Sequence, residues 1–280
     1  MGVSSEDKSL SGAFAGHIIP ASFFLCFGVY LLGLTMHRAV RGTVMIPERN
    51  ERVLFLIGTA LMVCTTCGLI GEAVGGFLVM GNPFFQSAHE TLYFLFFFAG
   101  ICTLLESYKA LPPDSSRCGV AVALLGEYIL WHEHALMKSN MVDQRIHTIL
   151  ANISLSNCAI IAWSVHQGSR SILAYVLGFA LFVLQGLWLM TAAFNIGIHQ
   201  VHSLTGGFLT QDNVGVFFCV EIIFVGFALV FGSAYVYSRR EKPDDEVVAT
   251  AESIVSLPAK LQEYERLSRE AESETTLEYA

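Results

Sequence analysis

The chain has 280 residues, 54% of them hydrophobic and only 14% charged, with a formal net charge of −8. Soluble domains carry about 25% charged residues, so this balance excludes an ordinary soluble enzyme and points to a chain that lives in lipid. Nucleic acid is not an expected partner; the lipid bilayer is. Seven apolar stretches are long enough to cross about 30 Å of hydrocarbon as helices. In chain order they are Ile18–Met36, Val53–Gly71, His89–Tyr108, Cys118–Met137, Ile146–Val165, Ile172–Asn195 and Val214–Tyr237. Backbone groups in lipid must pair within their own segment, so the expected fold class is all-α, a polytopic seven-transmembrane-helix bundle. The fifth stretch is the most polar, through Asn152, Ser154, Ser156 and Asn157, and is expected to lie inside the bundle. Residues 1–17 form a short outer N-terminus, 18–237 the membrane domain and 238–280 a cytoplasmic tail.

Basic residues set the expected orientation. With the N-terminus outside, the inner side holds Arg38, Arg41, Arg49, Arg52, Lys109, Arg117, Arg170, Arg239, Arg240 and Lys242, and the outer side Lys8, Lys138 and Arg145. Ten against three favours N-out, C-in. No basic region precedes the first apolar stretch, so that stretch is expected to act as an uncleaved signal-anchor. Met1-Gly2 fits a myristoylation pattern poorly, and an outward N-terminus argues against one.

Lys and Arg are absent from every apolar core, whereas histidines and glutamates gather near segment ends that share one membrane face. Glu72, His89, Glu90, Glu127, His132, His134 and His147 fall there, joined by His17, His199 and His202. Ionisable groups in a membrane are costly and usually mark an ion, proton or substrate site. Glu127 and His134 are seven residues apart and share a helix face, about 10 Å apart along the axis. His132 and His134 diverge by about 160° and meet on one ion only where the helix ends. The expected metal-ligand set is Glu72, His89, Glu127, His132, His134 and His147, since imidazole and carboxylate suit a divalent ion such as zinc. A proton-sharing hydrogen-bond network is the alternative. His17, His199 and His202 read as solvated helix ends. On the fifth helix His147, Ser154 and Cys158 share a face, with Asn157 to one side. Gln185 and Glu221 lie deeper, and Glu127 and Glu221 are expected to be protonated, paired or facing water.

The other motifs read more plainly. The seven cysteines lie in or beside the spans, so an extracellular disulfide framework is not expected. Cys64 and Cys67, one turn apart, read as small polarizable groups filling a helix interface. Asn152-Ile153-Ser154 matches a glycosylation sequon but falls inside the bilayer. The aromatic run Tyr93–Phe98 reads as packing and lipid contact.

Residues Gly16-His17-Ile18-Ile19-Pro20, Gly71-Glu72, His89-Glu90-Thr91-Leu92-Tyr93-Phe94, Glu127 with His132-x-His134, His147, and Leu184-Gln185-Gly186-x-Trp188 together resemble the transmembrane protein 45 family. The resemblance runs in order from about Gly16 to Phe194. It implies a seven-helix, multi-pass eukaryotic membrane protein of the Golgi, endosome or plasma membrane, whose biochemical activity is not established. The family's third segment often opens on paired histidines, where this chain has Ala88 before His89.

The tail from Arg239 to Ala280 holds six basic and eleven acidic residues. It reads as solvated and largely disordered. Leu257, Leu261, Tyr264 and Leu267 follow helical spacing, and Tyr264-Glu265-Arg266-Leu267 matches a Tyr-x-x-apolar signal for a sorting adaptor. Three functions stay open: an ion-handling membrane protein, a membrane-embedded metal-dependent hydrolase, or a trafficking or scaffold protein whose polar groups only fix the bundle. A G-protein-coupled receptor is disfavoured by the short N-terminus, the lack of outer-loop cysteines and the lack of an acidic-Arg-Tyr triplet after the third segment.

Overall fold

A computed structural model describes residues 5–40, 51–80, 87–167, 172–201 and 208–238. They form seven α-helices: α1 (Ser5–Val40), α2 (Glu51–Met80), α3 (Ser87–Ser107), α4 (Ser115–Leu136), α5 (Met141–His166), α6 (Ile172–Val201) and α7 (Val214–Ser238). Each of the seven apolar stretches lies on one of them, and no strand occurs among the described residues. His202 and the tail with Tyr264 and Leu267 lie outside the described residues, and the His199 side chain is not described.

Among the described residues six helices are long and apolar enough to cross a membrane, over Gly16–Arg38, Glu51–Val74, Ala88–Ser107, Met141–His166, Leu173–Asn195 and Val214–Tyr235. The fifth stretch, the most polar of the seven expected crossings, is among them, and α4 is not. The fifth stretch qualifies because its polar residues are small and uncharged. It is α4 that falls short, because Arg117, Glu127 and Glu133 are spread along it, with His132 and His134 near its end.

The short connections around α4 are built by local chemistry. Pro112 and Pro113 follow α3, and Lys109 and Asp114 adopt left-handed φ values of 59° and 77° to reverse the chain. The Glu106 carboxylate accepts from the Asp114 and Ser116 backbone N–H groups at 2.8 and 2.6 Å, satisfying donors at the start of α4. At the other end Asn140 caps α5, its side-chain oxygen accepting from Val142 N at 2.8 Å.

Helix α6 is central, and its most extensive partner is α1. Lipid is as apolar as the side chains, so association rests on close packing of small residues. A Cβ at Gly186 would lie 2.7 Å from the Leu25 N and 2.9 Å from the Ala21 O, and one at Gly28 would lie 2.8 Å from the Val183 N. These two glycines let the α1 and α6 backbones touch. Phe24 stacks on Phe182 beside them at 5.8 Å. Helix α4 packs between α3 and α5. Helix α7 is peripheral, turning Phe224, Phe227, Val230 and Phe231 outward. It docks through Phe218 on Trp188 at 5.1 Å and a hydrogen bond from Thr191 to Glu221.

Two expectations on the bundle surface need correction. Cys64 and Cys67 are exposed on α2 and fill no interface among the described residues. Arg117, read as an inner-loop cation, sits in the first turn of α4 and is buried. Its burial is tolerable because it pairs with Asp114, reaches the Ser164 carbonyl and hydroxyl at 3.4 Å, and lies 5.3 Å over the Tyr175 ring.

Candidate functional site

At one end of the bundle five helices converge. Helix α1 brings His17, α2 Glu72, α3 His89, α4 Trp131 and His134, and α5 Asp143 and His147. Trp131 is the hub, with ring centroids 6.3 Å from His17, 6.1 Å from His89, 5.9 Å from His134 and 5.5 Å from His147. His134 and His147 lie 4.8 Å apart, and His17 lies 5.8 Å from His147 and 6.3 Å from His89. His89 Nδ1 is 3.2 Å from Glu72 Oε1. Gly16 lets α1 approach that pair, since a Cβ there would meet His89 Cε1 at 3.1 Å.

His147 has a defined proton arrangement. Its Nδ1 is 2.7 Å from the Asp143 carbonyl oxygen, which can only accept, so Nδ1–H donates. The Asp143 carboxylate stands 3.2 Å from the same nitrogen and is itself paired with Lys138 at 3.2 Å. In the neutral ring the lone pair therefore sits on Nε2. That atom is buried and accepts no hydrogen bond.

Below this layer Glu127 is 0% exposed. Its Oε1 accepts from Gln185 Nε2 at 2.7 Å and from Trp131 Nε1 at 3.1 Å, so the carboxyl ties α4 to α6 and to the hub of the imidazole layer. Trp188 Nε1, one turn from Gln185, donates to the Ile146 carbonyl at 3.0 Å and ties α6 to α5. Ser154 and Asn157 are fully buried on the facing side of α5. The other Glu127 oxygen, the Gln185 carbonyl oxygen and both polar atoms of Asn157 make no hydrogen bond to another group. Buried polar atoms are nearly always satisfied, so this run of under-bonded atoms sets the layer apart from the apolar core around it.

The expected ligand set is thus distributed over four places. Glu72 and His89 form one pair, and His134 and His147 lie ring against ring. Glu127 is turned down toward Gln185, and His132 is exposed on the opposite side of α4 against Tyr128 at 5.7 Å. The helix continues through Leu136, and that keeps His132 and His134 apart. Among the described residues no three His, Cys, Asp or Glu side chains lie close enough to hold one metal ion.

Two participants were not expected. His17, read as a solvated helix end, is only 6% exposed and faces His89 and His147. Trp131 carries no charge to mark it in the sequence, yet it stands four residues after Glu127 and three before His134 on the same helix face. Glu90 is buried, and its Oε1 accepts no hydrogen bond.

At the opposite end a cavity of about 50 Å³ is bounded by Phe27, Thr103, Arg117, Ser164, Tyr175 and Gly178, among other residues. It is largely apolar, with the guanidinium of Arg117 and four hydroxyl groups, those of Thr103, Ser116, Ser164 and Tyr175, in its wall. No protein-family model matches the chain.

Proposed function

We propose that the protein is a multi-pass membrane protein that binds and passes protons through the imidazole and carboxylate cluster of His17, Glu72, His89, Glu127, His134 and His147. The observation that carries this is His147: its Nδ1–H is committed to Asp143, and its buried Nε2 is left as a proton acceptor beside a second imidazole. We take α4 as a seventh crossing, because it packs between α3 and α5 through short connections and its 22 residues extend about 33 Å. The basic residues then favour N-out, C-in, with the cluster at the outer face. The motifs from Gly16 to Trp188 support a place in the transmembrane protein 45 family and residence in Golgi, endosomal or surface membranes.

Trp131 is a built-in reporter, because protonation of a ring at this range places a cation beside the indole. The emission component lost in Trp131→Phe should change as the pH is lowered and rings of the cluster take up protons. His134→Ala with His147→Ala should flatten that change. A Trp131 signal that stays constant over the whole pH range in which the protein remains folded would refute proton binding. It would favour the scaffold reading, which the Glu127–Gln185 bond supports because it fastens α4 to α6.

A further inference from the structure

We infer that the protein carries a proton route through the full thickness of the bundle, from the imidazole cluster to the cavity at Arg117. The inference rests on the proton-binding reading and adds an exit and a direction of travel to it. Its frame is α5. Asp143, His147, Ser154, Asn157 and Ser164 recur at helical spacing on one face, and from Asp143 to Ser164 the helix rises about 32 Å, the depth of the hydrocarbon core. Of these, His147, Ser154, Asn157 and Ser164 are buried.

The gaps in the stripe are filled by neighbours. Between His147 and Ser154, Trp131 touches the His147 ring and donates to Glu127, which Gln185 also holds. Between Asn157 and Ser164 lies Gly178, where a Cβ would come within 3.6 Å of Asn157 Oδ1. Gly178 and Ile161 also line the cavity that Ser164 and Arg117 border. Consecutive polar positions along this line have unused hydrogen-bonding capacity: His147 Nε2, Glu127 Oε2, Gln185 Oε1 and both polar atoms of Asn157.

The transfer balances without a co-reactant. His147 Nε2 takes a proton from the cluster and becomes an imidazolium. It returns to neutral by handing that proton, through water alongside Trp131, to the Glu127 carboxylate, which becomes the acid. The proton then leaves Glu127 through water held by Ser154 and Asn157 and enters the cavity. The charged and titratable groups around the entry are His17, Glu72, His89, Glu90, His134, Lys138 and Asp143. Around the exit they are Glu106, Asp114, Arg117 and Tyr175. Arg117 alone would repel a proton, but Asp114 pairs with it and Glu106 caps the same helix end. The exit therefore carries no excess positive charge.

The full chain, reconstituted in liposomes with an internal pH dye and a valinomycin-clamped potassium gradient, should acidify the lumen faster than protein-free vesicles. Asn157→Leu, which removes both amide atoms, should reduce the rate to that of protein-free vesicles while leaving the Trp131 pH response intact. Gly178→Leu, which fills the cavity side of Asn157, should do the same and serves if Asn157→Leu fails to fold by gel filtration. Wild-type flux equal to protein-free vesicles, with the Trp131 response present, would overturn the route and leave proton binding standing. Loss of both signals in wild type would overturn both. Unchanged flux in folded Asn157→Leu or Gly178→Leu would overturn the path through Asn157.

Discussion

Replacing Gly186 with Ala tests the packing that holds α1 in place. The new methyl would lie 2.7 Å from the Leu25 N and 2.9 Å from the Ala21 O, where ordinary contact begins at 3.4 Å. The shortfall is about 0.5–0.7 Å against backbone atoms, which have no rotamer to escape into, so α1 itself must move. Overpacking of this kind typically costs about 1–3 kcal/mol. Gly226 on α7 is the control, since a Cβ there meets nothing within 4 Å. In detergent, Gly186→Ala should lower the thermal midpoint by several degrees, at about 2–4 °C per kcal/mol for a chain of this size, while Gly226→Ala should not lower it. Because α1 also carries His17, 5.8 Å from His147, the Trp131 pH response should weaken in the same variant. Equal midpoints for the two variants would refute the close α1–α6 contact.

Glu127→Gln should fold normally, because an amide oxygen still accepts from Gln185 and Trp131, whereas Glu127→Leu strands both donors and should cost about 1–3 kcal/mol by detergent melting. His132→Ala should leave the Trp131 titration unchanged, since that ring lies outside the cluster; a shifted midpoint would contradict the helix register. Lys109 is bonded to Glu51 at 2.7 Å and its pKa is raised by that carboxylate, so the pair is formed at neutral pH and is lost as pH rises through the lysine range. Both groups are exposed, so Glu51→Gln should produce no measurable change in melting. Tags on both termini of intact cells should be accessible from opposite sides with seven crossings and from one side with six, and Tyr264→Ala with Leu267→Ala should move the chain toward the cell surface if an adaptor reads the tail.

Helix positions were legible because apolar runs of about 20 residues leave the backbone no alternative in lipid. Crossing competence was less so. The small amides and hydroxyls of α5 look polar in a list of residues, yet spread over 26 positions they leave the helix apolar, while three charged side chains on α4 do not. The imidazole cluster was legible by depth, since Glu72, His89, His134 and His147 all fall at helix ends on one side. Partner assignments were not legible. His17 looked like a helix end because the first apolar stretch starts at Ile18, but α1 runs from Ser5, so His17 sits well inside a helix and can be held against α3 and α5. Arg117 lies one residue before an apolar stretch, and only the neighbouring Ser164 and Tyr175, distant in sequence, make a buried site for it. Such contacts depend on which helices meet, and residue spacing within one helix carries no record of that.

Under the seven-crossing arrangement, the polarity of α4 bears on how the chain enters the membrane during synthesis. Glu127 stands near the middle of the helix, and a charge at mid-bilayer costs about 2.5–3.5 kcal/mol on insertion scales. The groups that complete its surroundings, Ser154 and Gln185, belong to α5 and α6, which are made later. Helix α4 has no favourable place in lipid until they arrive. Retention of α4 at the insertion machinery until α5 and α6 follow would satisfy Glu127 before the helix meets lipid. Lesions in α5 or α6 that leave those helices apolar would thus surface first as a failure of α4 to integrate.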